Sequence, residues 1–428
     1  MKMSFTKIQA ALFVIFFFAS GWAFAAGELV WQAPFGVDGY TWSTPVVVDN
    51  YVFLQDQEGG IGCYETSDGS KVWYKSFGMT ISVTSPVFKG GKLYVFAASN
   101  LYCIDPEDGS ILGQFSADNG INSQAPAVSD DLIFFSTYST LYAVNLADLT
   151  EAWRVTVGST ANIIVDDNII YALADKLYAL NPADGSVYWQ EGPTLGDGFY
   201  IGALKDDYLV CFTTMDSATA KSNLVNYQLN ATRILSPTMT WSAEFLNSAD
   251  NSPPAICNTN VYATSREGVL RAYALAGDGT PIWERTVRSS GMASALPIAL
   301  DGKVFIQEEN AGTYSLVCLN STTGTVVWQT SAAGMGVSWS QPVLKDNAVY
   351  LATDHENGLF AFDAGTVNGN WYMMKHNPAL TGYNNGYEPE IGSSTDDSSD
   401  DASDSSDEKK GEDDGGGGGC FIRSLFMK

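Results

Sequence analysis

Three features predict an all-β chain folded as an eight-bladed β-propeller of four-stranded antiparallel blades. Tryptophan recurs in one local setting about every forty residues. Most tryptophans follow an apolar strand and a turn, and most units open on a Pro-apolar step. The marks are Trp31, Trp73, Trp153, Trp189, Trp241, Trp283, Trp328 and Trp371, with Gly113 filling the place between Trp73 and Trp153. Successive spacings are 42, 40, 40, 36, 52, 42, 45 and 43. Units of this length with four strands each are those of a propeller.

Each strand of a unit has its own signal. The first follows the prolines of Pro45-Val46, Pro86-Val87, Pro126-Ala127, Pro254-Ala255, Pro297-Ile298 and Pro342-Val343. Proline cannot donate to a ladder and belongs on an edge strand, as the channel-lining strand of a blade is. The units near residues 160 and 200 lack it. The second strand is an apolar run such as Leu93-Tyr94-Val95-Phe96. The third strand and its turn read NLYCIDPEDGS, KLYALNPADGS or LVCLNSTTG, where alternation and Asp-Gly or Thr-Gly predict a hairpin. The tryptophan lies on the fourth. The unit from about Gly196 to Phe245 is some ten residues longer and has no Asp-Gly turn, which predicts a long loop.

The ring has to close. Glu28-Leu29-Val30-Trp31-Gln32-Ala33 has the pattern of an outermost strand with no hairpin before it. Residues 28–34 are therefore expected to pair in blade eight beside residues 358–363, removing an open seam.

The ends of the chain are different in kind. Lys2 and Lys7, the apolar run Ile8–Phe18 and Ala23-Phe24-Ala25 read as a signal peptide over residues 1–25. Cleavage is expected after Ala25, with Ala26 as the alternative. No cysteine lies near this site, so an N-terminal lipid is not expected. The propeller is expected over residues 26–387. Residues 388–419 hold twelve acids and two lysines among Ser, Gly and Asp, and read as a solvated, self-repelling linker. Residues 420–428 form a short apolar tail that starts at Cys420. Linker, glycine run and cysteine partly resemble bacterial surface-sorting tails, making Cys420 a candidate attachment point. The other reading is an acidic appendage with a free thiol.

A net charge of −26 excludes nucleic acid as the natural partner. The two histidines, His355 and His376, leave little for a metal site or a triad. His355 stands between Asp354 and Glu356 in an expected solvated loop. Of six cysteines, Cys63, Cys103 and Cys318 fall in a column with Ala143, Ala179, Gln228, Ala274 and Ala361 that wants a small side chain. Equivalent positions of neighbouring blades are about 10 Å apart, too far for a Cys63–Cys103 bridge. A Cys211–Cys257 pair is left open. Asp-rich stretches such as Asp105–Gly109 read as hairpin turns rather than calcium loops.

On these hairpins and tryptophans, residues 29–383 resemble the PQQ-like (pyrroloquinoline-quinone-type) β-propeller repeat family. The segment Trp371–Tyr383 is similar to one that flanks some of its propellers. The catalytic branch would imply adjacent cysteines over a quinone, a Ca²⁺ site and an Asp base. No two cysteines are adjacent here, so neither PQQ nor Ca²⁺ is expected. The resemblance points to the non-catalytic branch, similar in architecture to the propeller lipoprotein of the outer-membrane β-barrel assembly machinery. The expected role is an exported, monomeric scaffold for envelope or surface proteins in the periplasm, outer membrane or cell surface. A PQQ-dependent oxidoreductase and a polysaccharide-binding surface module are the alternatives.

Overall fold

The computed structural model describes residues 25–367, except 36–40, 42, 79–84, 122–125, 159–161, 167, 194–197, 215–220, 247–252, 265–267, 290–295 and 355–357. Trp371, His376, Cys420 and the two terminal segments lie outside the described residues, as do His355 and Glu356. Among the described residues, 32 strands form eight four-stranded antiparallel sheets. Blades 1–7 each use four consecutive strands, here lettered a to d from the channel outward. Blade 8 takes strands a to c from residues 343–345, 348–352 and 359–363, and its strand d from Leu29–Ala33. The inner strands of blades 1 and 8 meet, closing the ring. The a–b and c–d turns share one face, the turn face. The b–c connections and inter-blade crossings share the other, the loop face.

Closure occurs at the expected place. Trp31, Gln32 and Ala33 pair with Ala361, Phe360 and Leu359. Proline acts as an N-terminal stop for strand a. After each of the six prolines strand a is two or three residues long. Where proline is missing, strand a grows to Asn162–Asp166 in blade 4 and Phe199–Lys205 in blade 5. Ile163 and Gly202, in the place of the proline, pair with Ala172 and Cys211. Both strands run through a position where a proline would have no N–H to donate.

Strand d of blades 1–7 carries a bulge beside its tryptophan or glycine. In blade 1, Trp73 pairs with Cys63 but Tyr64 pairs with Lys71, leaving Val72 as the extra residue. The bulge puts consecutive side chains into solvent and turns the tryptophan toward the next blade. There its indole N–H donates to a turn carbonyl: Trp73 to Pro106 at 2.9 Å, Trp153 to Pro182 at 2.8 Å, Trp283 to Ser321 at 3.0 Å. The ring plane lies on the turn glycine. A Cβ on Gly109 would come within 2.8 Å of Trp73, and one on Gly185 within 2.6 Å of Trp153. These glycines also hold φ of +73° and +70°. Glycine is therefore required there both for backbone sign and for close approach.

The small-residue column is real but was misplaced in two blades. The residues opposite the tryptophans of blades 5 and 6 are Asn226 and Ala272, not Gln228 and Ala274. The column is read as the residue after a strand aromatic or aliphatic, and in these two blades the aromatic, Tyr227 or Tyr273, follows the column position instead of preceding it. Asn226 Nδ2 donates to Thr240 Oγ1 and to the Leu275 carbonyl. Cys63, Cys103, Cys211, Cys257 and Cys318 are free and buried, so neither pair considered from the sequence is bridged.

Candidate interaction surfaces

The channel mouth on the loop face is lined by neutral polar groups. Thr44, Gln55, Ser85, Gln307, Ser338 and Gln341 are buried there. They tie blade to blade. Gln341 donates to the Pro297 carbonyl at 3.1 Å, and the Thr44 N–H donates to Ser85 Oγ at 2.9 Å. Gln55 donates to the Phe96 carbonyl at 2.7 Å, and Gln307 to that of Gly336 at 3.0 Å. Hydroxyls and amides engaged in this way set the register of the ring. None of these six can act as a general base at neutral pH.

A charged network lies above blades 6 to 8. Strand d of blade 6 (Pro281–Thr286) meets the tall b–c hairpin of blade 7, whose strands span Lys303–Asn310 and Thr313–Asn320. Arg285 grips Glu308 with two hydrogen bonds, 2.5 and 3.2 Å. Glu309 accepts from the Ser289 N–H and hydroxyl and from the Gly312 N–H. Arg288 is buried beside Glu309, Tyr314 and Asp354, and donates to Gln307 Oε1 at 3.4 Å. Burial pulls its guanidinium below the ordinary arginine value. The network fixes Arg288 and Ser289, which follow strand d of blade 6, on the hairpin.

The outer wall offers a different surface. The long c–d turn of blade 5 runs between strands Lys221–Gln228 and Thr238–Leu246. It is the long loop expected from the sequence, and it is pinned from below. Arg233 pairs with Asp166 of blade 4 and with Asp207 at 3.6 Å, and donates to the Asp206 carbonyl at 2.7 Å. Its own carbonyl accepts from the Trp189 indole at 2.9 Å. Beyond Arg233, Ile234 and Leu235 face solvent, Leu235 being 64% exposed. Val187 and Tyr188, at the bulge of blade 4, and Met239 of blade 5 are exposed as well. Blade 3 breaks this apolar band with Glu151-Ala152. The sequence located the loop but not its exposed side chains, because burial depends on the neighbouring blade.

The seven described tryptophans of the repeat each dock on the next blade. The aspartates of Asp105–Gly109 serve the turn: Asp105 accepts from the Glu107 N–H and Asp108 from the Ser110 N–H, both at 2.8 Å. The latter bond lowers the Asp108 pKa.

A family model described as outer membrane protein assembly factor BamB matches residues 22–100, 59–198 and 266–391, well over half of the chain. The chain belongs to this family. No curated sequence matches it. The solved structure of BamB from Moraxella catarrhalis is 13% identical, with a TM-score of 0.61, covering 78% of this chain and 99% of that one. The computationally designed Ika8 protein is 12% identical with the same TM-score, covering 79% and 100%. Quinohemoprotein alcohol dehydrogenase from Comamonas testosteroni is 13% identical with a TM-score of 0.57, covering 79% and 77%. At these identities the structures share a fold with this BamB-family chain and nothing further.

The last of these raises a quinone cofactor, and the described residues do not fit one. The five described cysteines are buried and separate in sequence. Among the described residues no three His, Cys, Asp or Glu side chains gather into a metal-binding group. The channel mouth supplies neutral amides and hydroxyls, most of them bonded to protein, with Gln55 Oε1 buried and unpartnered.

Proposed function

We propose that this BamB-family chain is an exported, non-catalytic scaffold that holds partner proteins in the cell envelope, acting without quinone or calcium. The outer wall of blades 4 and 5 is the contact surface. The observation that carries this is Leu235, with Ile234, held out to solvent on a loop that Arg233 and Trp189 fix to the neighbouring blade. Apolar side chains on a rigid support lose little entropy on binding and suit the centre of an interface. The matched family description, an assembly factor of the outer membrane, supports the envelope setting. Export rests on residues 1–25 and envelope attachment on Cys420, with residues 388–419 as the spacer.

Affinity capture from an envelope fraction tests the reading. Wild-type protein is expected to retain a partner that Leu235→Asp and Tyr188→Asp release, with both variants keeping the wild-type melting temperature. Equal capture by all three proteins would contradict it.

A further inference from the structure

Four of the described arginines reach a carboxylate: Arg154, Arg233, Arg271 and Arg285. Arg288 is more buried than any of them, at 4% exposure, and has no acid within ion-pair distance among the described residues. It makes one hydrogen bond there, to the neutral Gln307 Oε1 at 3.4 Å, and its buried Nε has no partner. Gln307 Oε1 is itself shared with the Ser338 N–H at 2.8 Å. The acids nearby are engaged elsewhere. Glu308 holds Arg285, and Glu309 takes the Ser289 N–H and hydroxyl and the Gly312 N–H. Glu309 bridges to Arg288 on one side and pairs with Tyr314 on the other, so the three residues lie side by side. Tyr314 is half-buried and acts electrostatically on Arg288, and its hydroxyl bonds to no described residue.

We propose that Arg288 and Tyr314 form a binding site for a carboxylate group at the loop-face mouth of the channel. A buried charge without a partner is costly, and an arriving anion removes that cost. The guanidinium fork matches the two oxygens of a carboxylate, and the Tyr314 hydroxyl supplies a further donor. Tyr314 reaches solvent, so it marks the side from which the ligand enters. The charges nearby set the class of ligand. Glu309 and Asp354 both act on Arg288, and Arg285 is held by Glu308. A phosphate dianion would meet their repulsion with one free cation to offset it, whereas a single negative charge is matched by Arg288 alone. The site lies on the loop face of blades 6 to 8, away from the wall of blades 4 and 5, and stands independently of the contact surface proposed there.

The test is calorimetric titration and thermal denaturation of the folded protein with acetate, at constant ionic strength against chloride. Tetra-alanine with a free or an amidated C-terminus is the second probe. Wild type is expected to bind acetate or the free-ended peptide, to ignore the amidated one, and to melt at a higher temperature when bound. Acetate alone as the ligand points to a small free acid, and preference for the peptide points to a chain end. Arg288→Met is expected to lose binding and, without ligand, to melt no lower than wild type, because it removes an unpaired buried charge. Tyr314→Phe, which deletes a hydroxyl that bonds to no described residue, is expected to keep the fold and to weaken binding about tenfold. Failure of wild type to bind either probe would overturn the proposal, as would binding that neither variant changes. An Arg288→Met protein that melts well below wild type without ligand would overturn it too, since Glu309 and Asp354 would then already satisfy the guanidinium.

Discussion

Leu149 fills the space over Gly113 that a tryptophan fills in the other blades. Blade 2 has Gly113 in place of the tryptophan, and blade 3 has Leu149 in place of the turn glycine that would receive it. A Cβ on Gly113 would lie 2.9 Å from Leu149 Cδ1. Leu149 holds φ of +57°, the sign that turn glycines adopt elsewhere, and its N–H still donates to the Asn145 carbonyl at 2.9 Å. The junction between blades 2 and 3 therefore keeps its packing with the large and small residues exchanged, at the cost of a strained leucine.

That exchange predicts a coupled pair. Gly113→Trp alone is expected to collide with Leu149 and destabilise by about 1–3 kcal/mol. Leu149→Gly alone relieves strain but opens a void, leaving a net loss of about 1–2 kcal/mol. The double variant recreates a standard docked tryptophan and is expected to be more stable than either single one. Denaturant titration of the four proteins measures the coupling. Additive losses would mean the two side chains do not share the space.

Trp31→Ala is expected to lower the stability of the whole ring by roughly 3–5 kcal/mol. Trp31 is buried, packs against Tyr350 at 6.0 Å between centroids, and donates to the Thr66 carbonyl at 2.7 Å. It belongs to the strand that closes blade 8, so its loss is felt globally. A calorimetric transition that keeps its midpoint, with only the first residues exchanging faster, would show a frayed terminus instead.

Stability is expected to fall as pH rises from about 9 to 12. Burial raises the Cys63 and Cys318 thiols from an ordinary value of 9.0 to about 12. Burial likewise raises the Tyr273 hydroxyl from 10.0 to about 12. The unfolded chain releases these protons first, so it binds fewer protons than the native state in that window, and stability drops as pH rises. Denaturation midpoints at pH 8 and 11 test the sign. In the native protein at pH 8 all five described cysteines are expected to resist a thiol reagent until the ring unfolds.

Removing Glu308 is expected to cost about 1–3 kcal/mol, since Arg285 is left without its two bonds in a partly buried place. Replacing both, as Arg285→Met with Glu308→Leu, is expected to recover most of that loss. A double variant as unstable as Glu308→Ala would show that the pair itself is stabilising rather than merely costly to break.

Most of the fold was legible in the sequence because its signals are local. A proline marks the start of strand a, a glycine marks the turn and a tryptophan marks strand d, each for a steric reason that repeats in most blades. Closure by residues 29–33 was legible too, since an orphan outer strand needs a partner. What failed were Gln228 and Ala274, because the column was read as the residue after an aromatic, and Tyr227 and Tyr273 lie one place after it. The Leu149–Gly113 exchange was visible as two departures, in neighbouring units, yet only space could join them. The contact surface was less legible still. Ile234 and Leu235 look like core residues in a one-dimensional reading, and their exposure follows from Arg233 reaching across to Asp166 in another blade.

A photo-activated crosslinker placed at position 235, with position 138 on the loop face as the control, tests the account most directly. Tyr138 is also exposed but lies on the opposite side of the blades from the c–d turns. Irradiation of intact cells is expected to join position 235 to a discrete envelope protein and to leave position 138 without that adduct. The same adduct from both positions, or none from position 235 while an adduct forms at 138, would contradict a contact surface on the wall of blades 4 and 5.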